Sequence, residues 1–219
     1  MRTDYKRDVT MDPSGFVLLS DYVPGIVQEI RYYSTYNFIG DRIYCYEEPA
    51  ALCTQEAARA LKAAANELNV LGYRIKVFDA YRPAGAVRHF VLWGIEDTDI
   101  RMKPYFYPDL NKTELFEKGY IASKSSHSRG STVDLTLLDM ATGKELDMGS
   151  PFDLFSEVSH PDCHTITEEQ YANRMILRSS MLRNGFEPID CEWWHFTLKD
   201  EPYPDTYFEF PVSVSVLKR

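Results

Sequence analysis

One stretch of the chain, residues 54–83, limits the choice of fold more than any other. A helix is predicted from Thr54 to Leu71, because Thr54 can cap it, apolar residues recur every three or four positions, and Gly72 supplies a stop. The next six residues, 73–78, alternate apolar and charged side chains, as expected of a half-buried strand. The apolar stripe of the helix is therefore assigned to the core.

Two further helices are predicted. One begins at Pro83, since proline is tolerated in a first helical turn. The other begins after Thr167, which can form a capping box with Gln170, and ends at Gly185. Residues 97–117, rich in Asp, Lys, Pro and Tyr, are expected to form a long connection beside the functional site.

Strands and helices occur without a regular βαβ repeat, and no linker or internal repeat divides the 219 residues. Besides residues 73–78, strands are expected at residues 132–137 and in the aromatic segment 192–198. We therefore predict an α+β fold. It is expected to be a single domain spanning residues 1–219, with a mainly antiparallel central sheet flanked by helices and a metal site at the sheet.

The acidic composition argues against several classes of partner. Acidic residues outnumber basic ones by 33 to 24, for a formal charge of −9, so the surface would repel nucleic acid and anionic membranes. Neither the N-terminus nor any internal run has the apolar length of a signal peptide or a membrane span, and a cytoplasmic location is expected. In that compartment Cys45, Cys53, Cys163 and Cys191 would be free thiols, mostly buried.

Two short stretches carry the most reactive side chains. His127 and Asp134 are seven positions apart with Gly130 between them, which suits a turn that leads into a strand. Glu192 and His195 follow much later in the chain. Zinc hydrolases need three protein ligands, an open position for water, and a carboxylate that accepts the proton of that water. These side chains can supply all of those parts.

The spacing of Glu192 and His195 is the weak point of such a zinc site. Residues three apart share one face of a helix but lie on opposite faces of a regular strand. Because Trp193 and Trp194 favour a strand, both side chains can point inward only if a bulge or a turn at the strand end interrupts it. The alternative is that both stretches are structural, with a capped turn at Asp134 and a packed, hydrogen-bonded His195.

Other potential ligands have simpler explanations. The sequence His160-Pro161-Asp162-Cys163-His164 contains a proline and no helical pattern, so it is interpreted as a loop rather than as a second metal site. Cys191 could be a fourth ligand that closes the first site, although a small buried thiol is the simpler interpretation. His89 is interpreted as a surface or hydrogen-bonded histidine.

Together these motifs resemble those of the zinc D-alanyl-D-alanine dipeptidases of the vancomycin-resistance dipeptidase type, which have the hedgehog/DD-peptidase fold. The pattern serine-x-histidine-x-x-glycine-x-x-x-aspartate is present as Ser125, His127, Gly130 and Asp134, and the pattern glutamate-x-tryptophan-histidine as Glu192, Trp194 and His195. Further similar stretches are residues 78–83, 149–153 and 200–208. The resemblance covers most of the chain from about Tyr32 onward.

The resemblance implies a role for each residue of the two motifs. His127, Asp134 and His195 would be the ligands of one Zn²⁺ ion per chain, and Glu192 would be the catalytic base. Ser125 would bind the carbonyl or the carboxylate of the substrate.

Two residues outside the motifs also gain roles from the resemblance. Arg82 would stabilise the oxyanion of the tetrahedral intermediate; without the resemblance, a surface salt bridge at the end of a strand would be the preferred interpretation. Asp153 would bind the substrate ammonium group, although it could equally cap a helix after Pro151.

The first hypothesis for function is zinc-dependent hydrolysis of the free dipeptide D-Ala-D-Ala, in glycopeptide resistance or in the recycling of cell-wall dipeptide. One alternative is a D,D-carboxypeptidase or endopeptidase on longer cell-wall peptides, which would need export and an open groove. The other is a zinc-binding module with little catalysis. A small dipeptide is the expected partner, with no nucleic acid or membrane, and self-association is left open.

Overall fold

The computed structural model, which describes residues 9–218, combines short strands with three long helices. The strands are β1 (Val9–Thr10), β2 (Phe16–Leu18), β3 (Val27–Gln28), β4 (Leu52–Thr54), β5 (Tyr73–Asp79), β6 (Thr132–Asp139), β7 (Phe186–Pro188), β8 (His195–Leu198) and β9 (Tyr207–Phe208). The helices are α1 (Leu19–Tyr22), α2 (Gln55–Val70), α3 (Ala84–Ile95), α4 (Lys103–Phe106), α5 (Lys112–Glu117) and α6 (Glu168–Arg183). Three 3₁₀ turns lie at Ser126–Arg129, Glu157–Ser159 and Val214–Lys218.

A five-stranded sheet with the order β3-β5-β6-β8-β7 forms the centre of the fold. The contact between β3 and β5 is parallel, and the other three contacts are antiparallel. Two small separate sheets pair β1 with β9 and β2 with β4. The prediction of a single α+β domain with a mainly antiparallel central sheet is therefore confirmed.

Helix α2 forms where the sequence predicts it. The hydroxyl of Thr54 accepts a hydrogen bond from the backbone N–H of Ala57 at 3.3 Å, which satisfies a free donor of the first turn. Gly72 follows the helix with a φ of 89°, a left-handed conformation that glycine adopts without strain. The buried stripe of the helix, which includes Leu61 and Leu68, packs against β5.

The other two long helices also agree with the sequence. Pro83 occupies the cap position of α3 rather than its first turn, and His89 on this helix accepts a hydrogen bond from the backbone N–H of Tyr44 at 3.2 Å. At the start of α6 the predicted capping box is formed. The side chains of Thr167 and Gln170 each accept a hydrogen bond from the backbone N–H of the other, at 3.2 and 2.9 Å.

The connection at residues 97–117 is more ordered than predicted. It contains α4 and α5, and the side chain of Glu114 accepts a hydrogen bond from the backbone N–H of Asn111 at the start of α5, at 2.8 Å. Phe106 and Tyr107 are buried in the core. These aromatic side chains, at the end of α4, join the core, which the polar composition of the segment did not indicate.

The cysteines are free, as predicted, but the expectation that most are buried is wrong. Cys53 on β4 is buried, whereas Cys45, Cys163 and Cys191 are half-buried. These three lie outside the helices and strands, in connecting segments, which usually run over the surface.

The expectation of no export signal depends partly on residues 1–8, which lie outside the described residues. Within residues 9–218 no helix combines the length and the apolarity that crossing a bilayer requires.

Candidate metal centre and substrate cavity

The central strands bring three polar side chains into one row. Asp79 at the end of β5 lies opposite Asp134 of β6, and Asp134 lies opposite His195, the first residue of β8. Directly opposite residues of antiparallel strands project from the same face of the sheet, so the side chains of Asp134 and His195 can meet. Val133 and Leu135, which alternate with Asp134, are fully buried. The row therefore stands on a sheet whose reverse side is core.

His127 reaches this row from the 3₁₀ turn that precedes β6. The hydroxyl of Ser125 accepts a hydrogen bond from the backbone N–H of His127 at 3.3 Å, and Gly130 ends the turn with a φ of 85°. A Cβ atom on Gly130 would overlap the ring of Phe16 and lie 3.2 Å from Cγ2 of Thr54. Glycine is thus required where the chain bends between the two ligand-type residues, and the predicted turn that leads into a strand is confirmed.

Glu192 lies in an irregular turn that ends where β8 begins. Trp193 and Trp194 form this turn, and the backbone N–H of Trp193 donates to the carbonyl oxygen of Ser159 at 2.9 Å instead of to a neighbouring strand. The interruption allows Glu192 and His195 to line the same cavity. The predicted turn at the end of the strand is confirmed.

Three buried side chains converge at the edge of the sheet. Nε2 of His127 lies 3.2 Å from Nδ1 of His195 and 3.2 Å from Oδ2 of Asp134, while Nδ1 of His195 lies 3.1 Å from Oδ1 of Asp134. Glu192 stands beside them, with Oε2 3.6 Å from Nδ1 of His195. Among residues 9–218, no second group of three His, Cys, Asp or Glu side chains converges in this way.

The hydrogen bonds of the two imidazoles orient their inner nitrogens toward a common point. Nδ1 of His127 lies 2.7 Å from the carbonyl oxygen of Ala80, which can only accept, so Nδ1 carries the proton and Nε2 keeps its lone pair. On His195 the outer nitrogen, Nε2, contacts the hydroxyl of Ser126 at 3.3 Å. Oδ1 of Asp134 is buried and accepts no hydrogen bond. Two imidazole nitrogens and a carboxylate oxygen suit a divalent cation of the zinc type.

Burial shifts the pKa values of these groups in different directions. It lowers the pKa of His127, which keeps the imidazole neutral. Burial alone would raise the pKa of Asp134, but its contacts with His127 and His195 hold that pKa well below the usual range. Burial and the charge of Asp134 raise the pKa of Glu192 to about 7, against the effect of His195. An ionised aspartate thus lies beside a glutamate that can exchange protons near neutral pH.

Arg82 follows β5 and lies at the edge of the cluster. Its Nε donates to Oδ2 of Asp79 at 2.9 Å, and a terminal nitrogen lies 3.5 Å from Oδ2 of Asp134. The guanidinium carbon lies 4.8 Å from the ring centre of Tyr32 and 5.1 Å from that of Phe90. With 12% of the side chain exposed, the ion pair is largely buried, so the interpretation as a surface salt bridge is wrong.

One cavity of about 230 Å³ is lined by all seven residues that the sequence predicts for the site. They are Arg82, Ser125, His127, Asp134, Asp153, Glu192 and His195. Much of the remaining wall is apolar or aromatic and includes Phe38, Phe90 and Phe155. The volume is below the ~300 to 1,000 Å³ typical of pockets for drug-sized ligands, so the cavity suits a smaller molecule.

Asp153 is a buried carboxylate with one unpaired oxygen. Its Oδ1 accepts a hydrogen bond from the hydroxyl of Tyr32 at 3.1 Å, whereas Oδ2 has no partner. No helix begins at this residue, so the alternative role as a helix cap is wrong. Burial and the charges of Asp134 and Glu192 raise its pKa well above the usual value, against the effect of Arg82. A cationic group in the cavity would satisfy both the free oxygen and the charge.

Two side chains at the site were not assigned a role from the sequence. Tyr32 holds Asp153, which is 121 positions away in the chain, so no local signal could have identified it. Asp79 pairs with Arg82 and also accepts a hydrogen bond from the hydroxyl of Tyr46 at 2.7 Å. Here a signal was present, because a carboxylate three positions before an arginine at the end of a strand can orient that arginine.

The second group of potential ligands does not assemble. Nε2 of His160 lies 3.3 Å from the hydroxyl of Tyr120, and Asp162 pairs with Arg178 at 2.8 Å. Cys191 lines the cavity but does not belong to the converging group. The interpretation of residues 160–164 as a loop is confirmed.

The fold and the site define a class of protein. Buried His, Asp and His donors with an adjacent glutamate, beside a small cavity in an α+β fold, form the arrangement of a metallopeptidase. The family model described as D-Ala-D-Ala dipeptidase matches residues 12–213, and the chain belongs to this family of metallopeptidases. The match begins well before Tyr32, so the family likeness extends further toward the N-terminus than the motifs indicate.

Several curated relatives carry the name D-alanyl-D-alanine dipeptidase. The protein of Enterococcus faecium is 42% identical over 199 residues, which cover 91% of this chain and 98% of the relative. That of Streptomyces coelicolor is 40% identical over 198 residues, covering 90% and 98%. That of Escherichia coli is 31% identical over 205 residues, covering 93% and 95%.

Proposed function

We propose that this chain hydrolyses the free dipeptide D-Ala-D-Ala to two molecules of D-alanine, with one zinc ion held by His127, Asp134 and His195. The observation that carries the proposal is the convergence of these three buried donors beside Glu192, in a cavity small enough to suit a dipeptide. The names of relatives that are 40 and 42% identical over nine-tenths of the chain support the choice of substrate. The whole chain, residues 1–219, is taken as one catalytic domain.

Glu192 is the proposed general base. When bound, the zinc ion would polarise the scissile carbonyl and acidify a water molecule. Glu192 accepts the proton of the attacking water and returns it to the leaving amine. Its Oε2 is 3.6 Å from Nδ1 of His195, so it lies beside the donor set without belonging to it. The positive charge of a bound ion would lower the pKa of about 7 and keep the carboxylate ionised before the attack.

Arg82 is proposed to stabilise the negative charge that develops on the carbonyl oxygen. Its pairing with Asp79 and its position over the ring of Tyr32 hold the guanidinium at the wall of the cavity. Loss of one preorganised oxyanion donor typically costs ~3 to 4 kcal/mol of barrier. Removal of Arg82 should therefore impair turnover more than it impairs zinc occupancy.

Asp153 and Ser125 are proposed to bind the two ends of the substrate. The unpaired, buried Oδ2 of Asp153 suits an ammonium group, which would also keep this carboxylate charged. The hydroxyl of Ser125 accepts a bond from the backbone of His127 and keeps its own proton for the carbonyl or carboxylate of the substrate. A small cavity with a partner for each terminus selects a free dipeptide by its length.

This activity would serve either glycopeptide resistance or the recycling of cell-wall dipeptide. The carboxypeptidase alternative requires a groove that admits longer peptides, which a cavity of about 230 Å³ does not favour. A zinc-binding module without catalysis would not require a general base and an oxyanion donor, whereas Glu192 and Arg82 both line this cavity.

The decisive experiment assays the zinc-loaded protein against D-Ala-D-Ala, N-acetyl-D-Ala-D-Ala and a longer peptide that ends in D-Ala-D-Ala. Only the free dipeptide should be cleaved. Glu192→Ala should retain zinc and lose ~10²- to 10⁴-fold in rate, the usual contribution of a general base. Glu187→Ala, at an exposed glutamate on β7, is the matched control and should behave as the wild type does.

Two results would overturn the proposal. A near-normal rate for Glu192→Ala with zinc still bound would remove the base from the mechanism. Cleavage of the acetylated or longer substrate in preference to the free dipeptide would favour the carboxypeptidase alternative.

A further inference from the structure

Arg174, on α6, is a buried cation that the proposed mechanism does not use. The residue is 2% exposed, and its guanidinium is bonded to neutral backbone oxygens. Nε donates to the carbonyl of Met148 at 2.6 Å, Nη1 to that of His160 at 2.7 Å, and Nη2 to that of Val158 at 2.8 Å. All three acceptors belong to one segment, residues 148–160, the Asp153 loop.

The Asp153 loop has little regular structure of its own. It contains the 3₁₀ turn Glu157–Ser159 but no helix or strand, and Asp153 has a φ of 63°, in the left-handed region that side chains rarely adopt. Arg174 binds the start of the loop at Met148 and its end at His160, so one guanidinium closes the base of the loop. The conformation that presents Asp153 to the cavity therefore depends on a contact outside the loop.

A second set of bonds connects this loop to the turn that carries Glu192. Oγ of Ser150 lies 3.5 Å from Nη2 of Arg174 and accepts a hydrogen bond from Nε1 of Trp193 at 2.9 Å. The backbone N–H of Trp193 donates to the carbonyl of Ser159 at 2.9 Å. Trp193 directly follows Glu192, so the turn that carries the general base is connected to the guanidinium of Arg174 through Ser150 and the loop.

We propose that Arg174 is a positioning residue that sets the distance between Asp153 and Glu192, and through it the preference for a substrate with a free amino terminus. This inference rests on the proposed function, in which Asp153 receives the ammonium group. Arginine presents five N–H donors in a rigid plane, whereas lysine keeps the charge but donates from a single atom. Lysine cannot hold three separated carbonyls in register, and a shift of about 1 Å in a positioning group can change a rate by ~10²-fold.

The test compares Arg174→Lys with the wild type on two substrates, D-Ala-D-Ala and propionyl-D-alanine, in which hydrogen replaces the ammonium group. Displacement of Glu192 lowers kcat for both substrates, whereas displacement of Asp153 affects only the one that carries the ammonium. The ratio of the two kcat/KM values should therefore fall by about 10-fold, with a higher KM for D-Ala-D-Ala. An arginine that only stabilises the fold would change the amount of active enzyme and leave this ratio unchanged.

Two other variants make the result specific. Arg178→Lys, one turn further along α6, is the matched control, since Arg178 pairs with the exposed Asp162 and makes no contact with the loop carbonyls; it should keep the wild-type ratio. Ser150→Ala removes the acceptor shared by Arg174 and Trp193 but leaves the three carbonyl bonds. Ser150→Ala should lower the ratio of the two kcat/KM values by a smaller factor than Arg174→Lys does. If Arg174→Lys does not fold, the result for Ser150→Ala tests the inference.

A wild-type ratio in both Arg174→Lys and Ser150→Ala would overturn the inference. If the wild type itself cleaves the two substrates equally well, Asp153 does not bind the ammonium group, and that part of the proposed function fails together with the inference. Failure of the inference about Arg174 and failure of the proposed role of Asp153 are distinguishable. In the first case the wild type still prefers the substrate with a free ammonium group, and in the second it does not.

Discussion

Gly130→Ala is expected to destabilise the protein more than the same substitution at a glycine that also has a positive φ but has open space around the missing Cβ. Gly130 has a φ of 85°, so an alanine pays ~1 to 2 kcal/mol for the left-handed conformation. Its methyl group would also overlap the ring of Phe16. That ring cannot move aside easily, because it packs edge-on against Tyr81, Phe208 and Phe210 with centroids 4.7 to 5.0 Å apart. Overpacking costs ~1 to 3 kcal/mol, so the free energy of unfolding should fall by about 2 to 5 kcal/mol.

Gly72→Ala is the matched control for this prediction. Gly72 has a φ of 89°, but nothing lies within 4 Å of the position of its missing Cβ. Alanine at this position should therefore cost only the ~1 to 2 kcal/mol of the left-handed conformation. The free energies of unfolding of both variants are measured by urea denaturation. Because the turn at Gly130 positions His127, the Gly130 variant should also bind metal more weakly. Equal destabilisation by the two substitutions would refute the steric argument at Phe16.

Three further predictions concern the site. Asp79→Asn should lower the free energy of unfolding by up to ~3 to 5 kcal/mol, since it removes the nearer carboxylate of a largely buried ion pair and leaves Arg82 only the 3.5 Å contact with Asp134. Tyr46→Phe, which removes only the hydroxyl bond to Asp79, should cost ~0.5 to 1.5 kcal/mol; urea denaturation that ranks these two variants in the opposite order contradicts the assignment. Ser126→Ala should weaken metal binding by ~10- to 100-fold, because it removes the nearer of the two hydroxyl contacts of His195 Nε2, the other being that of Thr197 at 3.5 Å. Competition with a chromogenic chelator measures this, and an unchanged affinity would show that the Ser126 contact does not orient the imidazole. Removal of the metal by a chelator should abolish hydrolysis and lower the temperature of unfolding, since a ligand that binds only the native state stabilises it, and added zinc should restore both. Full activity in protein shown to be metal-free by elemental analysis is incompatible with the proposed mechanism.

Local signals were sufficient for several elements of the fold. The limits of α2 and α6 follow from a cap at one end and a glycine at the other, and both helices form as predicted. The turn at Glu192 was also predictable, because two inward-facing residues three apart are incompatible with a regular strand. These features depend on backbone hydrogen bonds and side-chain periodicity over a few residues, so the sequence displays them directly.

Segments whose structure depends on distant contacts were predicted less well. Residues 97–117 were expected to form a long connection without helices, yet Phe106 and Tyr107 are buried and two short helices form. Arg174 was not singled out, since nothing in its helix indicates that its side chain binds the carbonyls of Met148 and His160. A polar composition does not show which side chains will find a partner elsewhere in the chain.

The sequence by itself determined which residue types are available for chemistry and that they lie where a turn meets a strand, namely His127 and Asp134 on one side and Glu192 and His195 on the other. Only the tertiary structure decided that these pairs meet, through the register that places Asp134 opposite His195, and that Tyr32 and Arg174 hold Asp153 and its loop. The physical reason is that caps and periodicity act within a few residues. Strand register and side-chain contacts instead join residues 14 to 121 positions apart at this site, and those contacts form only when the whole core closes around them.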